Sequence, residues 1–480
     1  MRNGNKRMNM RLIAPLIVAA FAVHAPAARA ADAWLSMAYT NALSRELPFS
    51  IFTGEGWSPD PKARFVKLHL YFDEPIPVAG LEFDDCGSGI DPGISVFFNF
   101  DEWILSPETQ SQNDVWPTYD RHKDGDLLVL DGFGHSVQTR SLTVNFENST
   151  GFRICGITVR DPDGKPYAIK TPALVAGTVE SDSVLAPASA YDPIFLFDSR
   201  FEYGWASNKQ EKGVSLRFAF DQPRRIEKIR LWNGYQRSIT HCAANSRART
   251  IRITGDGNYS AEIAVADTLG SQIIDLPKPF MGRNLRFEIA DSYPGKSYKD
   301  LVLSELRFFG DGEWFLLDPA PALKKAIAAN RTAFAGAGTV ALLNDSFLGR
   351  TEPEAEWFNA KLRLRADGSF YLSGSTEEDE PHEYFALGNY EIAKPKAGVE
   401  GQRLRLFGLY YETEIYGDCN GCGRDCNKAD LPEGVTARDI FQEYVDIVPG
   451  TDGGFTLINE SGGKKLKFKK FLLTREGGAP

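Results

Sequence analysis

Within 67 residues of a 480-residue chain, Trp232, Asn233, Tyr235, Asn245, Arg247, Tyr293 and Tyr298 interleave aromatic rings with primary amides and a guanidinium. A sugar presents a flat C–H face ringed by hydroxyls. It is met by an aromatic platform beside planar hydrogen-bonding groups. These seven residues are the candidate ligand-binding set, and groups of this kind act best from loops at strand ends. Tyr235, Tyr293 and Tyr298 are the expected exposed contacts. Each type also has a structural use: Trp205 and Trp232 as core rings, Asn233-Gly234 as a turn, and Arg247 as a buried partner of Asp198 or Glu305.

A second group is Asp418-Cys419-Asn420-Gly421-Cys422-Gly423-Arg424-Asp425-Cys426. Cys419, Cys422 and Cys426 could converge on one zinc through the Gly-rich turn, although a fourth ligand is missing from the stretch. The alternative is a disulfide-stapled loop, which an oxidising compartment favours. Cys86 and Cys155 are positioned to pair within the first module. Cys242 is then the unpaired thiol, available for an inter-domain bridge. Calcium is a further option at Asp198 with Glu305, or at Asp120, Asp124 and Asp126, because hard cations prefer clustered oxygens. No cofactor is otherwise called for.

Catalytic signatures are scarce. The chain has no Gly-x-Ser-x-Gly elbow, no His-Glu-x-x-His helix and no P-loop. His69 sits in an alternating segment and reads as part of a solvated strand face. His241 beside Cys242 would converge with it only on a loop, since neighbours on a strand point to opposite faces. The reading is therefore weighted against an enzyme.

The elements that must carry these residues follow from a repeat. Residues 66–83 (VKLHLYFDEPIPVAGLEF) and 214–231 (VSLRFAFDQPRRIEKIRL) match without a gap at an offset of 148. Both alternate apolar and polar residues around an Asp-x-Pro, which predicts strand, turn, strand. The same offset sets Trp57 on Trp205. Further on, Ser141–Phe146 echoes Asn284–Ile289, and Cys155–Val159 echoes Ser304–Phe308. Two diverged β-sandwich copies result, the first carrying an Asp-, Trp- and Tyr-rich insertion from Phe100 to Asp126. Residues 321–335 predict an amphipathic linker helix through Leu323, Ile327 and Phe334. From Gly338 on, six or more antiparallel strands predict a small up-and-down, lipocalin-like barrel.

The first thirty residues are of another kind. Arg2, Lys6, Arg7 and Arg11 precede the apolar run Leu12–Val23, which ends in Ala28-Arg29-Ala30. This is the pattern of a cleaved secretory signal; the run is short for an anchor helix. Removing residues 1–30 takes away five basic and no acidic residues, so the net charge moves from −10 to −15. Nucleic acid and anionic lipid are poor partners for so acidic a chain. A glycan, a cell-envelope component or a basic partner fits better.

Five segments carry a family resemblance in order: Phe197-Asp198-Ser199 with Gly204-Trp205, Ile229-Arg230-Leu231-Trp232-Asn233-Gly234-Tyr235, Asn245–Arg249, Asp291–Gly295 and Leu303–Phe308. Together they resemble the NADase-type glycan-binding domain, a discoidin-like, galactose-binding-type jelly roll. The resemblance covers about a quarter of the chain. The first copy has Asp85-Cys86-Gly87 where Asn-Gly-Tyr would stand, which puts shared ligand binding there in doubt.

The expectation is an all-β chain of two tandem jelly rolls and a barrel. Its parts are a signal peptide (1–30), a diverged jelly roll (31–184), a glycan-binding-like jelly roll (190–312), a linker helix (321–335) and a barrel-like domain with the Cys-rich loop (336–476). A secreted or periplasmic, non-catalytic carbohydrate-binding protein is expected. The alternatives are an enzyme with its site in the C-terminal domain, targeted by the jelly rolls, and a structural protein-interaction factor.

Overall fold

The computed structural model describes residues 32–475 apart from 41–46, 55, 59–64, 89–91, 99–117, 134–136, 148–152, 201–202, 238, 344–346, 352–357, 376–381, 397, 399, 415–436, 452 and 461–469. The proposed signal, Cys419, Cys422, Cys426, most of the Phe100–Asp126 insertion and the acidic run 377–380 lie outside the described residues. No helix among the described residues is long and apolar enough to cross a membrane.

The described residues are mostly β, with two sandwich-like modules followed by a closed barrel. The first sandwich sets a five-stranded sheet (Gly93–Phe98, Val137–Glu147, Phe65–Val78, Asp32–Thr40, Ala168–Lys170) over a four-stranded one (Asp120–Asp124, Leu127–Asp131, Gly80–Asp84, Gly156–Arg160). In the second, the long strands Ser215–Asn233 and Ser271–Tyr293 bend through a continuous nine-stranded sheet.

Strand register bears out the repeat at three places. Leu68 faces Val144 where Leu216 faces Phe287. Leu81 faces Val159 where Ile229 faces Phe308. Trp57 bridges to Ile154 where Trp205 pairs with Leu303. Alternating apolar residues line one buried face in each copy, and the two cores are continuous, from Leu68 and Phe146 through Phe218, Phe287 and Phe308.

Two expectations need correcting here. The Asp-x-Pro segments are not turns: Phe65–Val78 and Ser215–Asn233 run through them as single strands, with the register slipping between Tyr71 and Ile76 and between Ala219 and Arg224. Proline has no N–H for the ladder, so the strand bulges and bends without reversing. His69 is not solvated. It is buried, its Nδ1 lies 3.0 Å from Thr143 Oγ1, and its strand is central to its sheet.

Strands Ala173–Val175 and Gly177–Ser181, placed by sequence in the first module, pair with Glu313–Leu317 and Ser215–Asn233 of the second. Cys86 and Cys155 form a disulfide, with Cα atoms 5.4 Å apart. Cys242 is buried and free, so the expected inter-domain bridge is not made.

Among the described residues, eight strands from Phe347–Thr351 to Lys470–Arg475 close the barrel, each paired with the next and the last with the first. Leu362, Leu372, Leu404, Val445 and Leu457 fill it. Helix Ala320–Gly336 is more than a linker. Leu323 packs in the sandwich core, while Ile327 and Phe334 pack in the barrel core. A second tie is polar: Arg200 Nη1 donates to Asp367 Oδ2 at 2.5 Å, Tyr203 Oη donates to the Asp367 carbonyl at 2.6 Å and Asn330 Nδ2 donates to the Ala366 carbonyl at 2.8 Å.

Candidate functional site

The strand Ser215–Asn233 delivers the first candidates to one end of the second sandwich. Asn233 is fully buried there: its Nδ2 donates to the Ala248 and Ala266 carbonyls at 2.8 and 3.2 Å, and its Oδ1 accepts the Ala248 N–H at 2.9 Å. Gly234 then reverses the chain at φ 81°, where a Cβ would stand 2.7 Å from Arg247 Cγ and 2.9 Å from Cys242 Sγ. Trp232 is also buried, with the Arg307 guanidinium 5.7 Å from its ring centroid. Asn233 and Trp232 therefore frame the loops and are closed to solvent.

Tyr235 was expected to be exposed and is 4% exposed. Its ring lies edge-on to His241 at 5.1 Å and to Tyr191 at 6.5 Å, with the Arg237 guanidinium 4.8 Å from its centroid. An aromatic residue after an Asn-Gly turn reads as a loop tip in sequence, but here Ala206, Val302 and the segment around Leu185 and Tyr191 pack against it.

Helix Ile239–Ala244 follows and carries His241 and Cys242, so these neighbours do share one element. Burial, reinforced by the nearby Arg237 charge, holds the His241 pKa well below the usual imidazole value, which keeps it neutral. Burial pushes the Cys242 thiol up to about 11, making it a poor nucleophile or ligand. Asn245 Nδ2 donates back to the His241 carbonyl at 2.8 Å.

The segment after Tyr293 lies on this helix. The Lys296 N–H donates to the Ala243 carbonyl and the Ser297 and Tyr298 N–H groups donate to the Ala244 carbonyl, at 2.8–3.0 Å. Gly295 makes that approach: a Cβ there would come within 2.5 Å of the Ala244 carbonyl oxygen. Tyr298 is presented outward, 43% exposed. Asp300, two residues on, is buried and accepts the Lys209 N–H at 2.8 Å; burial raises its pKa against the pull of that bond.

Arg247 and Tyr293 pair across neighbouring strands and support this group without lining the cleft. Arg247 grips Asp267 with Nε at 2.6 Å and Nη2 at 2.9 Å, and its Nη1 donates to the Asn245 carbonyl at 2.8 Å. The ion pairs foreseen with Asp198 or Glu305 are not formed. Glu305 Oε2 instead accepts from Arg307 Nη1 at 2.7 Å, while its Oε1 accepts the Arg200 N–H at 2.8 Å. Burial raises the Glu305 pKa despite Arg307. Tyr293 Oη donates to the Val265 carbonyl at 3.1 Å, and the Arg249 guanidinium lies 5.6 Å from its ring centroid. No group of three or more His, Cys, Asp or Glu side chains suited to a metal occurs among the described residues.

Tyr235, Asn245 and Tyr298 are the three candidates that the fold brings together. With Arg237, His241 and Asp300 they form one wall of a cleft of about 280 Å³. The facing side includes Leu185, Pro187 and Tyr191, just ahead of the second sandwich's main strands, and Arg405, Phe407 and Gln442 of the barrel. Tyr191 stacks on Phe407 with centroids 6.1 Å apart, joining the two sides. Sequence reasoning missed Arg237, Asp300 and Tyr191. Arg237 had a signal, standing two residues beyond Tyr235. The barrel residues had none, because nothing local in the chain records which domain will cover a loop.

This loop end lies in the segment of the chain that matches a known family model. Residues 172–309 match the family model described as the NAD glycohydrolase translocation F5/8 type C domain, so the match begins with the strands at Ala173 and Gly177 that pair into this sandwich. Solved structures that resemble the chain include a family 32 carbohydrate-binding module of Clostridium perfringens NanJ in complex with galactose. It is 13% identical over 28% of this chain and 92% of that one, at a TM-score of 0.22. The C. perfringens module CpGH89CBM32-5 in complex with GalNAc-β-1,3-galactose is 14% identical over 28% and 95%, at 0.24. The C. perfringens ZmpB domains CBM32-1 and CBM32-2 in complex with GalNAc are 10% identical over 57% and 89%, at 0.22. The chain spans 28% of the length of a putative alpha-L-fucosidase of Bacteroides thetaiotaomicron, at 13% identity and a TM-score of 0.22. No match to a curated protein was found.

Proposed function

We propose that this is a secreted or periplasmic, non-catalytic carbohydrate- or cell-envelope-binding protein whose ligand occupies the cleft at the loop end of the second jelly roll. The observation that carries the reading is the cleft wall itself. An outward tyrosine, Tyr298, stands with a buried amide, Asn245, and a buried carboxyl, Asp300, around a concavity of about 280 Å³. The ring offers a face for sugar C–H groups, and the amide and carboxyl offer hydroxyl partners. A volume of this order suits a mono- or disaccharide end group. Trp232, Asn233, Arg247 and Tyr293 serve as the scaffold that sets this wall, and Tyr235 as its floor.

The test is a glycan array with the mature protein beside its Tyr298→Ala and Asn245→Ala variants, with galactose and N-acetylgalactosamine as the first soluble probes. Saturable binding that falls about tenfold or more in Tyr298→Ala, with an unchanged circular dichroism spectrum, supports the reading. Binding that ignores both substitutions overturns it.

A further inference from the structure

Resting on that reading of the cleft, we propose that the barrel completes the binding site and that the favoured ligand is a saccharide bearing an acylamino group. Asn245 and Asp300 of the jelly roll take its N–H, and Gln442 of the barrel takes its carbonyl. All three residues line the cleft. Each is tied down through one half of its polar group. Asn245 Nδ2 donates to the His241 carbonyl at 2.8 Å; a carbonyl only accepts, so the amide is set with Oδ1 as its remaining acceptor. Asp300 Oδ1 accepts the Lys209 N–H at 2.8 Å, which leaves Oδ2. Gln442 Oε1 accepts from Arg405 Nη2 at 2.7 Å; a guanidinium only donates, so Nε2 is the half that remains, as a donor. Arg405 is itself paired with Glu391, Nη1 to Oε2 at 3.0 Å, and serves as the support of Gln442.

The cleft thus offers acceptors on one wall and a donor on the other. Asn245 is 7% exposed and Asp300 9%, so their open oxygens are nearly cut off from water and costly to leave unmatched. An amide carries its donor and its acceptor on opposite sides of a rigid plane, whereas a hydroxyl offers both at a single oxygen. The remaining end of the group, an acyl methyl, also has a place. Ala206, Tyr235 and Val302 form an apolar cluster with Leu185 and Tyr191, separate from the core of either domain, and all of them line the cleft. A sugar carrying hydroxyls alone can lay its ring on Tyr298 but has no apolar substituent for this floor.

The wall that carries Gln442 is fixed. Arg200 with Asp367, the Tyr203 hydroxyl on the Asp367 carbonyl and the helix that packs in both cores hold the barrel against the sandwich. The acylamino group therefore meets its donor and its acceptors at a set separation, without the entropy cost of closing two domains on it.

Isothermal titration of the full mature protein with galactose and N-acetylgalactosamine, and with glucose and N-acetylglucosamine, tests this, since each pair differs only at C2. The expected result is an acetamido sugar bound at least about tenfold more tightly than its parent hexose. Gln442→Ala and Gln442→Glu should each cut that preference to about threefold or less, with an unchanged circular dichroism spectrum. Gln442→Glu is the discriminating variant: it keeps an oxygen for Arg405 and lacks only the N–H, so a residue that merely supported Arg405 would tolerate it. Equal affinity within both pairs, or a preference that survives both Gln442 variants, overturns the two-wall hold but leaves the cleft reading standing if Tyr298→Ala still weakens binding. A free amino sugar bound as tightly as its N-acetyl form overturns the acylamino assignment. Sugar binding that is indifferent to Tyr298→Ala overturns the cleft reading itself, and with it this one. Failure of all four sugars to bind overturns both.

Discussion

Replacing Asp367 with Ala should loosen the barrel from the second sandwich. The Asp367 carboxylate accepts from Arg200 Nη1 at 2.5 Å through Oδ2, and from the Ser369 N–H and hydroxyl at 2.8 and 2.5 Å through Oδ1. Its side chain is 3% exposed and that of Arg200 is 5% exposed, so water cannot take over either role. Removing one member of a buried pair leaves an uncompensated charge and costs about 3–5 kcal/mol, against about 0–1 kcal/mol for an exposed pair. With a urea slope of about 2 kcal/mol/M, a loss of ~3 kcal/mol lowers the midpoint of barrel unfolding by ~1.5 M. The assay is urea unfolding in a Trp357→Phe background, whose remaining tryptophans all precede the barrel, followed by far-ultraviolet circular dichroism and by tryptophan fluorescence, which then reports the sandwiches through residues such as Trp205 and Trp232. Where the native protein unfolds the two parts together, Asp367→Ala should separate them, the barrel first. The double variant Arg200→Met with Asp367→Leu should recover part of the loss, because Arg200 is then no longer buried without the Asp367 carboxylate. Single variants that cost less than ~1 kcal/mol, or a double variant that costs the sum of the singles, would refute the idea that this pair fixes the barrel.

Three further outcomes follow from the same geometry. Cys86 and Cys155 close a separation of 69 residues, so Cys86→Ser should destabilise the first sandwich by about 2–5 kcal/mol, read as a lower urea midpoint that reductant does not change further. The Cys242 thiol is raised from about 9 to about 11 by burial, so the folded state keeps a proton that the unfolded chain releases. Its contribution is fully present below about pH 9 and is lost as pH rises through 11, at most about 3 kcal/mol; urea midpoints at pH 8 and 10.5 should therefore fall less in Cys242→Ala than in the native protein. Gly295→Ala forces a Cβ against the Ala244 carbonyl, which should displace Tyr298 and weaken sugar binding without altering the barrel, checked by titration and by hydrogen exchange over residues 239–300.

The repeat and the barrel were legible because a half-buried strand writes its burial into the chain at period two. Leu68 and Leu70 match Leu216 and Phe218, and the register pairs them with matching residues on the closing strands, Val144 and Leu142 in one copy and Phe287 and Leu285 in the other. What that pattern could not convey was the other face. His69 alternates correctly and is buried all the same, because its strand is central and covered on both sides. The Asp-x-Pro segments carried turn residues, yet a bulge uses the same chemistry as a turn, and only the long-range ladder distinguishes them. The candidate site divided along the same line. Tyr298 stays at the surface because Gly295 lays its loop on the helix Ile239–Ala244 of the same sandwich, whereas Tyr235 is buried against Leu185 and Tyr191, in a segment whose sequence carries no sign that it will fold back over the loop.

That division bears on why so many charged groups lie buried where the second sandwich meets the barrel. Arg307, Glu305 and Arg200 form a line of contacts that starts under Trp232, beneath the binding loops, and ends at Asp367 in the barrel. An apolar seam of the same area would hold the domains together about as well, because buried ion pairs offset their own desolvation poorly. It would also tolerate sliding, since apolar contact has little directional preference. Hydrogen-bonded charges admit one register, and a slip of one residue leaves each of them unpaired at a cost of several kcal/mol. For a cleft with Tyr298 and Arg237 on one wall and Arg405 on the other, register between the walls decides what fits. The buried polar line therefore does for this junction what the Leu323 and Phe334 contacts of the connecting helix cannot do alone: it sets the distance between the two walls.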